Sequence, residues 1–212
     1  MVSEATFDKT CRDCPRLATF LDNVSKQHPG YYCRPVPPFG VKDARFLVVG
    51  LAPGMHGANR TGRPFTGDYA GILLYQMLYK YGFATRDRSE SADDGLELVD
   101  CRITNAVKCL PPDNKPVGAE INTCNNFLAN ELRTLPEGAV VLALGGIAHR
   151  AVVKGLGMRQ AEYPFGHAAV HDAEHFRLLD SYHCSRYNTN TRRLTESMFD
   201  AIFAQARKLL DD

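Results

Sequence analysis

Residues 50–68, GLAPGMHGANRTGRPFTGD, and residues 183–195, HCSRYNTNTRRLT, gather glycines, arginines, hydroxyls and amides into two polar segments. Small residues let main-chain N–H groups come close to a ligand. Arg60 and Arg63 in the first segment, and Arg186, Arg192 and Arg193 in the second, supply positive charge. Each segment follows an apolar run that reads as a buried strand, RFLVV at 45–49 and FRLLDSY at 176–182. In an open α/β sheet, loops leaving the carboxyl ends of strands share one crevice, and ligands bind there. The two segments are therefore expected to converge on a single ligand.

The cysteines carry a second chemistry. Seven of them, an odd number, argue against a disulfide framework and favour ligation of a metal or cluster. Cys11 and Cys14 form a CxxC, and Cys109 and Cys124 form a second pair across a Pro-rich turn. Four thiolates of this kind hold either a tetrahedral zinc or an iron–sulfur cluster. They would close the coordination shell, so the role expected is structural. Cys101 reads as core, Cys33 as a possible alternate ligand, and Cys184 sits beside His183.

Alternating strands and helices must position these residues. Strands are expected at 45–50, 98–107, 139–144 and 176–182, and helices at 69–81, 120–132, from 145 to 153 and 194–210. A short helix follows Cys14, where Pro15 suits the first turn, and a Pro-rich connector runs from 28 to 40. This order predicts a three-layer α/β/α domain with a central four-stranded parallel sheet. The whole chain, 1–212, is expected to be one domain, with residues 1–40 as an N-terminal appendage carrying Cys11 and Cys14.

The hydrophobic fraction of 44% and charged fraction of 23% are those of an ordinary globular chain. No apolar run reaches membrane-spanning length, and the first residues lack a secretory signal, so a cytoplasmic location is expected. The formal net charge of +1 argues neither for nor against an anionic partner, and the placement of the arginines is what suggests a local positive crevice.

At these residues the chain resembles the uracil-DNA glycosylase superfamily, and within it family 5, the iron–sulfur-bearing type B enzymes. The first segment is similar to that branch's GLAP…HG.NRTGR.FTGD motif, and the second resembles its HPS..N..TGRLT motif. TNAVKCLPPDNKP, residues 104–116, matches the stretch around the third cluster cysteine. The resemblance implies a DNA-associated monomer that removes uracil, and other deaminated bases, from DNA, leaving an abasic site. It also implies a 4Fe-4S cluster on Cys11, Cys14, Cys109 and Cys124, with zinc as the alternative. Two other readings stay open: a damage-binding protein that has lost catalysis, and a metal-stabilised hydrolase of free nucleotides.

Roles follow from the resemblance and from what base excision requires. The base must leave the duplex and enter a pocket, where Phe65 offers a stacking face and Gly50, Ala52 and Gly54 a close backbone. His183 donates to the pyrimidine O2 and stabilises the charge of the departing base. Asn105 reads the N3 and O4 edge. Asp68 stabilises the cationic sugar or orients water. Asn59, Arg60, Arg63 and Arg193 are assigned to phosphate contacts, and Ser185, Arg186, Tyr187 and Asn188 to the loop filling the gap left by the flipped nucleotide. Two departures stand out. Leu51-Ala52-Pro53 lacks the water-activating side chain of better-known branches, and the second motif has Cys184 for proline and Arg192 for glycine.

Overall fold

The four apolar runs form adjacent parallel strands at the centre of one sheet. A computed structural model describes residues 7–212. In chain order the elements are α1 (Pro15–Gln27), β1 (Phe39–Gly40), β2 (Phe46–Gly50), α2 (Ala58–Thr61), α3 (Tyr69–Lys80), β3 (Cys101–Asn105), α4 (Gly118–Arg133), β4 (Ala139–Leu144), α5 (Gly146–Gly155), β5 (Val170–Ala173), β6 (Phe176–Ser181), α6 (Arg186–Asn190) and α7 (Glu196–Asp211). The strand order is β1-β3-β2-β4-β6-β5. The inner four are parallel, whereas β1 and β5 add antiparallel edges. The expected four-stranded sheet is thus the centre of a mixed six-stranded one. The edge strands escaped the sequence because they are two and four residues long and half exposed.

Strand periodicity explains the three layers. Along β2, Phe46 and Val48 face a core shared with α3 and α7, while Leu47 and Val49 face one shared with α4 and α5. Both faces are therefore apolar, as a parallel sheet demands. Chain connections run from β2 outward to β3 and from β4 outward to β6, so the direction reverses between β2 and β4. A crevice at the carboxyl ends of those two strands is the expected ligand site.

Pro15 begins α1, and Leu17 of that helix packs with Val107 and Cys124. Leu21 and Val24 add a patch with Leu110. Of the expected 1–40 appendage, residues 1–6 lie outside the described residues. Among the described residues, no helix is long and apolar enough to cross a membrane.

Candidate active site

A crevice of about 500 Å³ opens where the inner strands end. Phe65, Asp68, Asn105 and His183 all line it, together with Ala52 and Gly54. The two polar segments do converge. Asn105 is the last residue of β3 and pairs in register with Gly50, the last of β2. His183 lies two residues beyond β6.

Gly50 contributes by having no side chain. A Cβ there would fall 2.6 Å from Cζ of Phe65 and would also collide with the Asn105 amide oxygen. Its absence lets ring and amide lie side by side. Gly50→Ala is expected to displace both, lowering kcat/KM about 10²-fold, the scale of a 1 Å misplacement of reacting groups. Initial rates of turnover check this, and a rate within twofold of wild type contradicts it. Phe65 itself is 6% exposed and holds φ +53°. Such a backbone conformation in an aromatic residue costs on the order of 1–3 kcal/mol and persists only where packing enforces it. Its ring belongs to the main core and also lines the crevice, 6.0 Å from the His183 ring and tilted 27° to it.

Asp68 divides its two oxygens between structure and crevice. As N-cap of α3, Oδ1 accepts the Gly71 N–H at 2.9 Å. Oδ2 lies over Gly54 and Gly57, and a Cβ on Gly57 would come within 2.5 Å of it. Burial pushes the carboxyl pKa up, opposed by the N–H groups of Gly71 and Ala70. His183 is pulled the other way. Burial lowers its pKa to about 4, so the ring is neutral at pH 7. Its Nδ1 is enclosed and has no hydrogen-bond partner among the described residues, which leaves Nε2 as the nitrogen open to a ligand. Asn188 donates from Nδ2 to the His183 carbonyl at 2.8 Å and fixes the backbone beneath the ring.

The DNA-facing assignments divide. Arg186 is exposed at the crevice mouth, its guanidinium 4.9 Å over the Tyr69 ring. Tyr187 is 72% exposed. Ser185 caps α6, accepting the Asn188 N–H. Arg60 is exposed and donates from Nε to the His56 carbonyl, and Arg193 lies 4.7 Å over the Tyr182 ring. Two assignments need correction. Arg63 is 5% exposed, ion-paired to Asp94 at 2.8 Å, bonded to Ser89 and the Ala92 carbonyl, and stacked 4.4 Å over Phe39. Asn59 is fully buried, its amide on Cys33 Sγ. Neither reaches a phosphate; both hold the first segment in shape.

The sequence reading missed Asn114 and the turn from Leu144 to Ile147, which also line the crevice. Gly145, at φ +93°, turns β4 into α5 and brings the free N–H groups of that helix to the crevice wall. A Gly-Gly pair directly after an inner strand was the available signal. Asn114 was marked by the Pro-Asp-Asn turn, where Asp113 and Asn114 both adopt positive φ.

A sequence model described as the Uracil DNA glycosylase superfamily matches residues 37–207. The chain belongs to the uracil-DNA glycosylase superfamily. It is 44% identical over 205 residues to a type-5 uracil-DNA glycosylase of Thermus thermophilus, covering 94% of this chain and 93% of that protein. A type-5 uracil-DNA glycosylase of Pyrobaculum aerophilum is 43% identical over 92% of this chain and 87% of its own. A type-4 uracil-DNA glycosylase of Archaeoglobus fulgidus matches less, 35% over 53% of this chain and 49% of its own.

In this superfamily member the four cysteines surround a small apolar cavity against Leu17, Val107 and Phe127. Burial, reinforced by the neighbouring thiols, pushes Cys14 up to about 11 and Cys109 up to about 12. If ionised together in such a place, these sulfurs would need a bound cation. Cys124 Sγ already accepts the Lys108 backbone N–H at 3.2 Å, a bond suited to a thiolate. Ala52 packs against this cluster on one side and lines the crevice on the other. Cys33 is partly buried beside Cys109 but is bonded to Asn59. Cys101 is core. Cys184 is buried, its thiol on the Ala70 carbonyl, and burial raises its pKa far above neutrality, so it stays a protonated thiol.

Proposed function

We propose that this protein hydrolyses the N-glycosidic bond of uracil flipped out of DNA, leaving an abasic site. The observation that carries this is the meeting of a ring face, an amide, a neutral imidazole and a carboxylate in one crevice with room for a nucleobase. The uracil-excising relatives, similar over nearly the whole chain, support the same chemistry. Phe65 stacks on the base and Asn105 pairs with its N3 and O4 edge. His183 donates from Nε2 to O2 as negative charge develops there. Asp68 Oδ2 faces the sugar, where it stabilises the oxocarbenium charge and orients water. With Ala52 in place of a water-activating side chain, Asp68 is the carboxylate available at that wall. Arg60, Arg186 and Arg193 meet phosphates, and Ser185, Tyr187 and Asn188 form the loop that enters the vacated stack.

No lysine lines the crevice, and Lys108 is buried against Thr104 and Glu131. Without an amine to form a Schiff base, the reaction ends at the abasic site. A labelled uracil duplex is therefore expected to break only after alkali treatment; breakage without alkali would refute this reading.

Cys11, Cys14, Cys109 and Cys124 are proposed to hold a 4Fe-4S cluster, with zinc as the alternative. Among the described residues no three of these sulfurs lie within 4.8 Å of one another. A tetrahedral zinc with bonds of about 2.3 Å requires sulfurs about 3.8 Å apart, so the wider frame favours the cluster. Its contribution when bound is structural, fastening α1 to the Cys109–Cys124 excursion behind Ala52. Anaerobic preparations are expected to be brown with about four irons per chain, and Cys109→Ser to lose most of that iron. Colourless protein with stoichiometric zinc contradicts the cluster.

A further inference from the structure

Three metal-competent atoms converge in a place that base excision does not use. His149 lies on α5, Asp180 near the end of β6 and His171 on the edge strand β5. Nδ1 of His149 is 2.8 Å from Asp180 Oδ1, and Nε2 of His171 is 3.5 Å from Asp180 Oδ2. The three donor atoms all lie within 4.8 Å of one another, the one such trio among the described residues. Asp180 is fully buried, the His149 side chain is 1% exposed and the His171 side chain 13%.

Hydrogen accounting at this point is unusual. His149 Nε2 lies 2.8 Å from the Tyr163 carbonyl. A carbonyl only accepts, so Nε2 carries the hydrogen and Nδ1 of a neutral ring presents a lone pair. That lone pair faces a carboxylate oxygen at hydrogen-bonding distance, which is repulsive unless positive charge stands between them. His171 Nε2, enclosed and without a hydrogen-bond partner among the described residues, faces the other oxygen of the same carboxylate. The Gly166 N–H, 3.3 Å from Oδ2, is only a partial answer to the buried charge. A proton on His149 Nδ1 satisfies one contact and leaves His171 orphaned. A divalent cation satisfies all three.

Ligand chemistry decides which kind of cation fits. A tetrahedral zinc with bonds of about 2.0–2.1 Å sets its ligand atoms about 3.3 Å apart. The 2.8 Å and 3.5 Å contacts end on different oxygens of the one carboxylate, and the three donor atoms lie within 4.8 Å of one another, so small side-chain shifts bring one oxygen and both nitrogens to that spacing. Two imidazoles with one carboxylate suit zinc rather than magnesium or calcium. The bond from His149 Nε2 to the Tyr163 carbonyl is the outer contact that orients a metal-binding imidazole. We propose that His149, His171 and Asp180 supply three ligands of a zinc site separate from the cysteines. The ion joins α5, whose first residue Gly146 lines the crevice, to the strand that delivers His183 three residues after Asp180.

The test uses the iron-loaded protein, dialysed against Zn²⁺ and then against metal-free buffer. Elemental analysis with zinc-edge X-ray absorption reads both amount and ligand type, since nitrogen and oxygen lie at about 2.0–2.1 Å and sulfur at about 2.3 Å. Wild type is expected to retain one zinc per chain in a nitrogen/oxygen shell. His171→Gln and His171→Ala, each checked for a cooperative melt and unchanged iron, are expected to lose it. No retained zinc, a sulfur shell, or equal zinc in a folded variant overturns the site and leaves a proton as the bridge.

Discussion

His183→Ala is expected to lower kcat/KM for uracil release by about 10²–10³-fold, the cost of removing one donor aimed at developing negative charge. The loss should fall mainly on kcat, because the donor matters most when the base departs. The ring is neutral because its position is dehydrated, with a pKa lowered to about 4. A neutral donor keeps its proton while sharing it, whereas an imidazolium would pay desolvation in this pocket. The sign for stability follows. Between pH 6.5 and about 4 the unfolded chain takes up a proton that the folded ring refuses, so stability is full above pH 6.5 and declines on acidification. His183→Ala should flatten that decline while leaving the neutral-pH melt cooperative. Near-normal turnover by a folded variant would remove His183 from the mechanism.

Asp68→Asn is expected to reduce the rate by about 10²-fold or more, within the range for a positioned carboxylate. The substitution separates two roles. Asparagine caps a helix about as well as aspartate, so the bond to Gly71 and the start of α3 survive. What disappears is the charge of the free oxygen over Gly54 and Gly57. A melt within about 1 kcal/mol of wild type, the usual worth of a cap, combined with the large rate loss places Asp68 in the reaction. An unchanged rate would reduce it to a cap. Because burial raises its pKa, the carboxylate is lost as pH falls, so activity declines toward the acid side.

The inner sheet was legible because burial on both faces leaves continuous apolar runs such as AVVLAL in β4. The crevice was legible for the same reason: polar segments after such runs have one place to go. Asn105 and His183 stand at strand ends, and residues there are placed by the sheet itself. What stayed hidden depended on partners remote in sequence. Arg63 looks like a phosphate ligand until Asp94, 31 residues away, folds onto it. Asn59 likewise turns inward to Cys33. The edge strands β1 and β5 bury too little to leave a pattern. The His149–His171–Asp180 convergence joins a helix, an edge strand and an inner strand, so no local spacing announces it.

Free uracil released from a duplex carrying one uracil, measured by mass spectrometry with enzyme in excess, most directly tests the crevice as an excision site. Wild type should release one uracil per duplex within minutes and leave the abasic strand unbroken, while His183→Ala and Asp68→Asn lag by two orders of magnitude or more. No uracil after prolonged incubation with excess wild-type enzyme would contradict it.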